Sequence, residues 1–166
     1  MIIRNETAAD VAAISEVTIA AFQTLAVSQH TEQFVIQALR QANALTVSLV
    51  AEFGGQVVGH VAFSPISISD GSQHWYGLGP ISVWPEYQRQ GIGKALIHDG
   101  LLSLKALGAQ GCALVGDPNY YQHFGFKNHP KLVYDGIPQA YFLVLPFAET
   151  LPEGTVVFHE GFAARS

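Results

Sequence analysis

One cysteine, Cys112, is all the thiol this 166-residue chain carries, which rules out an internal disulfide and any zinc site built from several cysteines. It stands in "CALV", the pattern of a buried strand, so it reads as an inert core thiol and not as a nucleophile. Charge is scarce as well. Only 13% of residues are charged against 49% apolar, a balance that favours a compact fold over disorder. The 8 Lys and Arg are outnumbered by 13 Asp and Glu, giving a formal charge of −5. Neither nucleic acid nor an anionic membrane is therefore an expected partner, and any anion site has to be local. No apolar run approaches the ~20 residues of a membrane span. The opening "MIIRNETAAD" lacks the apolar stretch of a secretory leader, so the expected location is cytoplasmic. The 7 histidines are scattered in sequence, and no metal site is expected. No repeat, low-complexity tract or long linker divides residues 1–166, which are read as a single domain.

The apolar pattern gives an α/β order. "MIIRNE" is a short strand, and Thr7 with Asp10 forms a capping box before a helix striped by Val11, Ile14, Val17 and Ala21. A second helix is expected from about His30 to Asn43, with Val35, Leu39 and Ala42 inward. From Thr46 the period becomes two: Val47, Leu49, Ala51 and Phe53 alternate with Ser48, Val50 and Glu52. Gly54 and Gly55 then turn the chain into the return strand "QVVGHVAFSPISI". "HWYGLGPISVWP" is strand-like but interrupted by Gly77, Gly79 and Pro80, the mark of a bulge or a close backbone approach. A helix with Ile97, Leu101 and Leu104 inward runs to about Leu107, Gly108 stopping it. "GCALVG" is a buried strand, "DPNYYQHFGF" a turn, short helix and turn, and "AYFLVLPF" and "TVVFH" supply the last strands.

The stretch "YQRQGIGKAL", residues 87–96, carries the chemistry. A glycine-rich turn into a helix offers unpaired N–H groups and the positive end of the helix dipole to an anion, although such a turn also serves simply to start a helix. The phosphate-loop pattern fails because Lys94 lacks the earlier spaced glycine and is followed by Ala95. The dinucleotide fingerprint fails because Leu96 stands at its third glycine, which removes a nicotinamide-dependent oxidoreductase.

What remains is QxxGxG at Gln88, Gly91 and Gly93, preceded by a distorted strand and followed about thirty residues on by "YYQHFGF". This combination resembles the GNAT superfamily of N-acetyltransferases, whose [QR]xxGxG[AG] motif binds the pyrophosphate of acetyl-CoA. Lys94 departs from its last position. The resemblance covers most of the chain and implies one α/β domain whose mixed, mostly antiparallel central sheet is splayed between two strands and flanked by helices. It implies acetyl-CoA as cosubstrate, no metal, and transfer of the acetyl group to a primary amine of a small molecule or peptide by direct attack. It also admits a homodimer. Carried over by position, backbone groups of Ile81 and Val83 would pair with the pantetheine like an added strand. Gln88, Arg89, Gln90, Gly91, Ile92, Gly93 and Lys94 would wrap the pyrophosphate, with no β-carbon at the glycines to hold it off. In the family pattern YxxxGF, Tyr121 with Gly125 and Phe126 would give its phenol proton to the departing thiolate.

Some roles stay open at this level. No Asp or Glu lies in "HWYGLGPISVWP", so His60, His74 and Glu52 substitute as a general base by position alone. Asn119 either contacts the pantetheine or caps the short helix. Tyr120 is expected in the packing. The acceptor is equally open: an acidic chain attracts a cationic amine, whereas "WYGLG" as an apolar surface suits a peptide. A non-catalytic acyl-CoA-binding sensor is the rival to an enzyme.

Overall fold

A computed structural model describes residues 1–26 and 28–166. Strand β1 (Ile2–Asn5) leads through a 3-10 turn at Ala8–Asp10 into helix α1 (Val11–Phe22), followed by α2 (Glu32–Gln41). The capping box forms: the Thr7 N–H donates to Asp10 Oδ2 at 2.7 Å. Arg4 grips the same carboxylate through both terminal nitrogens, at 2.7 and 2.9 Å, so this buried charge is paired and its pKa is held well below the usual carboxylate range. Strands β2 (Val47–Phe53), β3 (Gln56–Ile68) and β4 (Trp75–Val83) follow, β3 pairing antiparallel with β2 on one side and β4 on the other. After them come α3 (Ile92–Ala106), β5 (Gly111–Val115), the one-turn α4 (Pro118–Tyr121), the two-residue β6 (Leu132–Val133), β7 (Phe142–Pro146) and β8 (Gly154–Phe158). The sheet has 8 strands in the order β1-β2-β3-β4-β5-β7, with β8 on the far end of β3 and β6 beside β8.

Helices cover both faces, and that changes which residues are buried. Ile14 of α1 and Ile36 of α2 meet Val50 on one face, while Leu96, Ile97 and Leu104 of α3 pack on the other with Leu49, Val61 and Phe63. Strand β2 is therefore buried on both sides from Val47 to Ala51, and its alternation of residue types does not mark a wet face. The helix stripes shift too: Val11 is exposed and Thr18 buried in α1, and Ala42 is exposed while Ile36 and Ala44 are buried around α2. Trp75 and Leu78 are also buried, so "WYGLG" is not an apolar surface; the Trp75 ring lies where a β-carbon on Gly111 would be.

Polar groups on the α1 and α2 side form a chain that runs from half-buried Arg40 and Glu6 to buried Ser48 and His60. Arg40 bonds Glu6 at 3.0 Å through two nitrogens, Glu6 accepts from Ser48 Oγ, and Ser48 Oγ lies 2.8 Å from His60 Nε2. His60 is fully buried, and desolvation lowers its pKa to about 4, so it is neutral at neutral pH.

The feature that positions the site lies in β4. Opposite β3, Ile81 pairs with Val61 and Leu78 with Phe63, so Gly79 and Pro80 together face Ala62 alone, a bulge where the sequence has its glycine and proline. Strand β5 pairs in parallel with β4 only over Trp75–Gly77 against Gly111–Ala113. Beyond that point β4 keeps to β3 and β5 keeps to β7, and the two strands part.

Candidate active site

The parting opens at the C-terminal ends of β4 and β5, where open α/β sheets bind ligands. Helix α3 starts just beyond one strand and α4 just beyond the other. A cleft of about 490 Å³ fills the space between them. Its strand wall is Ile81, Ser82 and Val83. The Trp84 N–H donates to Val58 O at 2.9 Å, so Trp84 and, two residues back, Ser82 turn their backbone groups to β3. By the same alternation, Ile81 and Val83 turn theirs to the parting. Gln88 Nε2 reaches back to Val83 O at 3.0 Å, tying the loop to that edge.

The loop wall is Gln88, Arg89, Gly91, Ile92, Gly93 and Lys94. Ala95 N–H makes the first bond of α3, to Gly91 O at 3.1 Å, so the N–H groups of Ile92, Gly93 and Lys94 at the helix start have no partner within it. Arg89 and Gly91 both have positive φ, 65° and 85°, which curls the backbone into a concave turn of N–H groups. An ideal β-carbon on Gly91 would meet nothing within 4 Å, and one on Gly93 only Tyr120 Oη at 3.5 Å. The missing side chains thus leave space in the cleft and serve no packing contact. By contrast, Gly100 of α3 lies against the Phe63 ring so closely that a β-carbon there would overlap it. Free N–H groups and the positive end of the helix dipole meet at the cleft end of α3, an arrangement that suits an anion, and the Ile92 side chain itself is buried in the core, leaving its backbone to the cleft.

Tyr121 enters from the α4 side, with its ring over Gly116, where a β-carbon would come within 2.5 Å of it. Burial is the main reason its pKa rises, to about 12, with Tyr120 and Cys112 adding to the effect. The phenol therefore keeps its proton at neutral pH. Of the loop and strand residues expected at the site, Gln90 alone is outside the lining; its side chain points to Glu86 O at 3.4 Å.

A family model described as "Acetyltransferase (GNAT) domain" matches residues 45–128. The chain belongs to the GNAT family of N-acetyltransferases. It is 35% identical over 128 residues to the uncharacterized N-acetyltransferase YhbS of Escherichia coli (strain K12), covering 76% of this chain and 74% of that one. A crystal structure of a GNAT family acetyltransferase from Brucella melitensis in complex with acetyl-CoA superposes with a TM-score of 0.87 at 48% identity, over 97% of each chain. The structure of E. coli YhbS in complex with CoA gives a TM-score of 0.90 at 31% identity, covering 99% of this chain and 93% of that one.

In this GNAT chain the substitutes for a strand carboxylate lie away from the cleft. His60 is in the core beside Ser48, His74 is exposed in the turn before β4, and Glu52 is paired with Arg4 at 3.1 Å. Asp117, not Asn119, caps α4: its Oδ1 accepts from the Asn119 N–H at 2.9 Å. Tyr120 is half-buried and lines the cleft beside Gly93, so its role is not confined to packing. Motif reading also missed Ala21, Phe22 and Leu25, the opposite wall from the end of α1. They come from the end of a helix with no signature and the turn after it, and only the fold brings them to the loop. Cys112 is fully buried with its pKa raised by desolvation, the state of an inert thiol.

Proposed function

We propose that residues 1–166 act as one catalytic unit that transfers the acetyl group of acetyl-CoA to a primary amine by direct attack. The observation that carries this reading is the single cleft in which the free edge of β4, the unpartnered N–H groups at the start of α3 and the protonated Tyr121 converge. The relatives bound to acetyl-CoA and CoA support the same cosubstrate here. When bound, it supplies an activated thioester carbonyl.

The residues of this chain then bind, orient and donate. Backbone groups of Ile81 and Val83 pair with the pantetheine as an added strand would. The turn from Gln88 to Lys94 holds the pyrophosphate, with the helix dipole behind it. Fixing the thioester against the strand converts a bimolecular attack into a local one, which supplies most of the rate. Tyr121 keeps its proton until negative charge gathers on the leaving sulfur, then gives it up.

Calorimetric titration with acetyl-CoA, followed by a thiol-release assay against amines and peptides, tests the reading. Binding with release for at least one amine is expected. Binding without release would favour a non-catalytic acyl-CoA sensor, a reading that the displacement of His60, His74 and Glu52 from the cleft supports. Absence of binding refutes both.

A further inference from the structure

A second cavity, of about 530 Å³, lies on the other side of the β4 bulge. It takes Leu78, Gly79 and Pro80 from β4, where the first cleft takes Ile81, Ser82 and Val83. Val115 at the end of β5 lines it, and Phe22 borders both cavities. The two spaces thus adjoin across the parting of the strands, close to Tyr121, whose ring packs over Gly116.

Its far wall is aromatic and apolar, formed by Tyr134, Ile137, Phe158 and Phe162. These rings brace one another: Tyr134 stands edge-on to Phe158 with centroids 4.9 Å apart, and Phe158 lies 5.4 Å from Phe162. Charge in the lining is sparse and balanced, one carboxylate from Glu32 and one guanidinium from Arg165. Both are engaged. Ser28 Oγ lies 2.7 and 2.8 Å from the two Glu32 oxygens, and Arg165 bonds the Gln29 side chain.

We propose that this cavity holds the acceptor, and that the acceptor is a small primary amine carried on an apolar body the size of an aryl ring. The inference rests on the acetyl-transfer reading and names its substrate class. A polyamine or an amino sugar brings several ammonium groups, and each needs a carboxylate once it leaves water. The lining of this cavity offers one, Glu32, offset by Arg165. A flat apolar body instead replaces water against the braced rings. The same setting bears on the missing strand carboxylate, because desolvation lowers the pKa of an alkylammonium and so supplies the neutral amine that attacks. In the transfer the amine nitrogen bonds the acyl carbon, the carbon–sulfur bond breaks, and Tyr121 protonates the sulfur. The nitrogen loses a proton to water, and Tyr121 is reprotonated from solvent.

The test uses the full chain with saturating acetyl-CoA, comparing 2-phenylethylamine and tryptamine with spermidine, kanamycin and a short alanine-rich peptide by thiol release. The arylalkylamines are expected to lead in kcat/KM by at least about 100-fold. Ile137→Arg and, separately, Val115→Arg at an exposed strand end should each raise their KM at least tenfold while the acetyl-CoA Kd stays within twofold. Preference for spermidine, kanamycin or the peptide overturns the proposal, as does an unmoved KM in a folded Val115→Arg protein. Failure of both arylalkylamines to show saturation-transfer NMR contact in the presence of bound CoA overturns it too. The acetyl-CoA Kd, read in the same samples, separates the two levels: if it is lost in the wild-type protein, the transfer reading itself fails.

Discussion

Gly91→Val tests the phosphate cradle through two independent readouts. Gly91 sits at φ +85°, where an L-residue costs about 1–2 kcal/mol and a β-branched one more. At about 2–4 °C per kcal/mol for a chain of this size, strain alone lowers the Tm by roughly 2–8 °C. The effect on binding has a different origin. A β-carbon here meets no protein atom within 4 Å, so the added side chain projects into open cleft. If it displaces the pyrophosphate enough to break one charge-assisted hydrogen bond, about 1.5–3 kcal/mol is lost. That is a roughly 10- to 150-fold rise in the acetyl-CoA Kd. Circular dichroism melts and calorimetric titration read the two effects separately. Gly91→Asn is the control, since Asn tolerates positive φ but still carries a side chain: its Tm should recover while its Kd stays raised. A Gly91→Val protein that melts early yet binds acetyl-CoA within twofold of wild type would refute the cradle.

For Tyr121→Phe, kcat should fall by about 10²-fold or more, the scale of lost general-acid catalysis, with the acetyl-CoA Kd nearly kept. Equal turnover in single-turnover kinetics would remove the phenol from the mechanism. Gly100→Ala drives a methyl into the Phe63 ring and should cost about 1–3 kcal/mol by urea denaturation without selective loss of cosubstrate affinity. His60 carries a pH signature: its pKa falls from 6.5 to about 4 on folding, so the unfolded chain binds the extra proton between those values. Its contribution is fully present above pH 6.5 and is lost as pH falls towards 4, about 3 kcal/mol in all at 1.36 kcal/mol per unit. Denaturation curves from pH 7 to pH 4 should show that slope in the wild type, and a folded His60→Phe variant should lack it.

The contiguous parts of the site were readable from residues alone. A glycine turn into a helix needs its residues within a few positions, so the candidate loop from Gln88 to Lys94 is legible in the sequence as a turn and helix start, and Gly79 with Pro80 marks the bulge in the same way. Other features depend on residues far apart. Phe22 joins the cleft only because α1 ends beside the strand parting, and the second cavity draws on β4, β5 and the last strands together. The period of two located β2, but its burial on both faces was not legible there, because Ser48 is accommodated inside by Glu6 and His60. Strand β6, with 2 residues, is too short to carry a period.

The parting of β4 from β5 also has a thermodynamic consequence. It leaves the sheet one strand short in its own interior, with the Ile81 and Val83 backbone turned to a gap that a bound ligand's amide groups would complete. With the pantetheine paired there as proposed, the cosubstrate would complete the fold. By mass action, a ligand at 100 times its Kd adds about 2.7 kcal/mol to the folded state, roughly 5–11 °C in Tm for a chain of this size. The resistance of this protein to heat and proteolysis is then a function of the acetyl-CoA concentration around it, and a cell depleted of that metabolite would hold a less stable enzyme as well as an idle one.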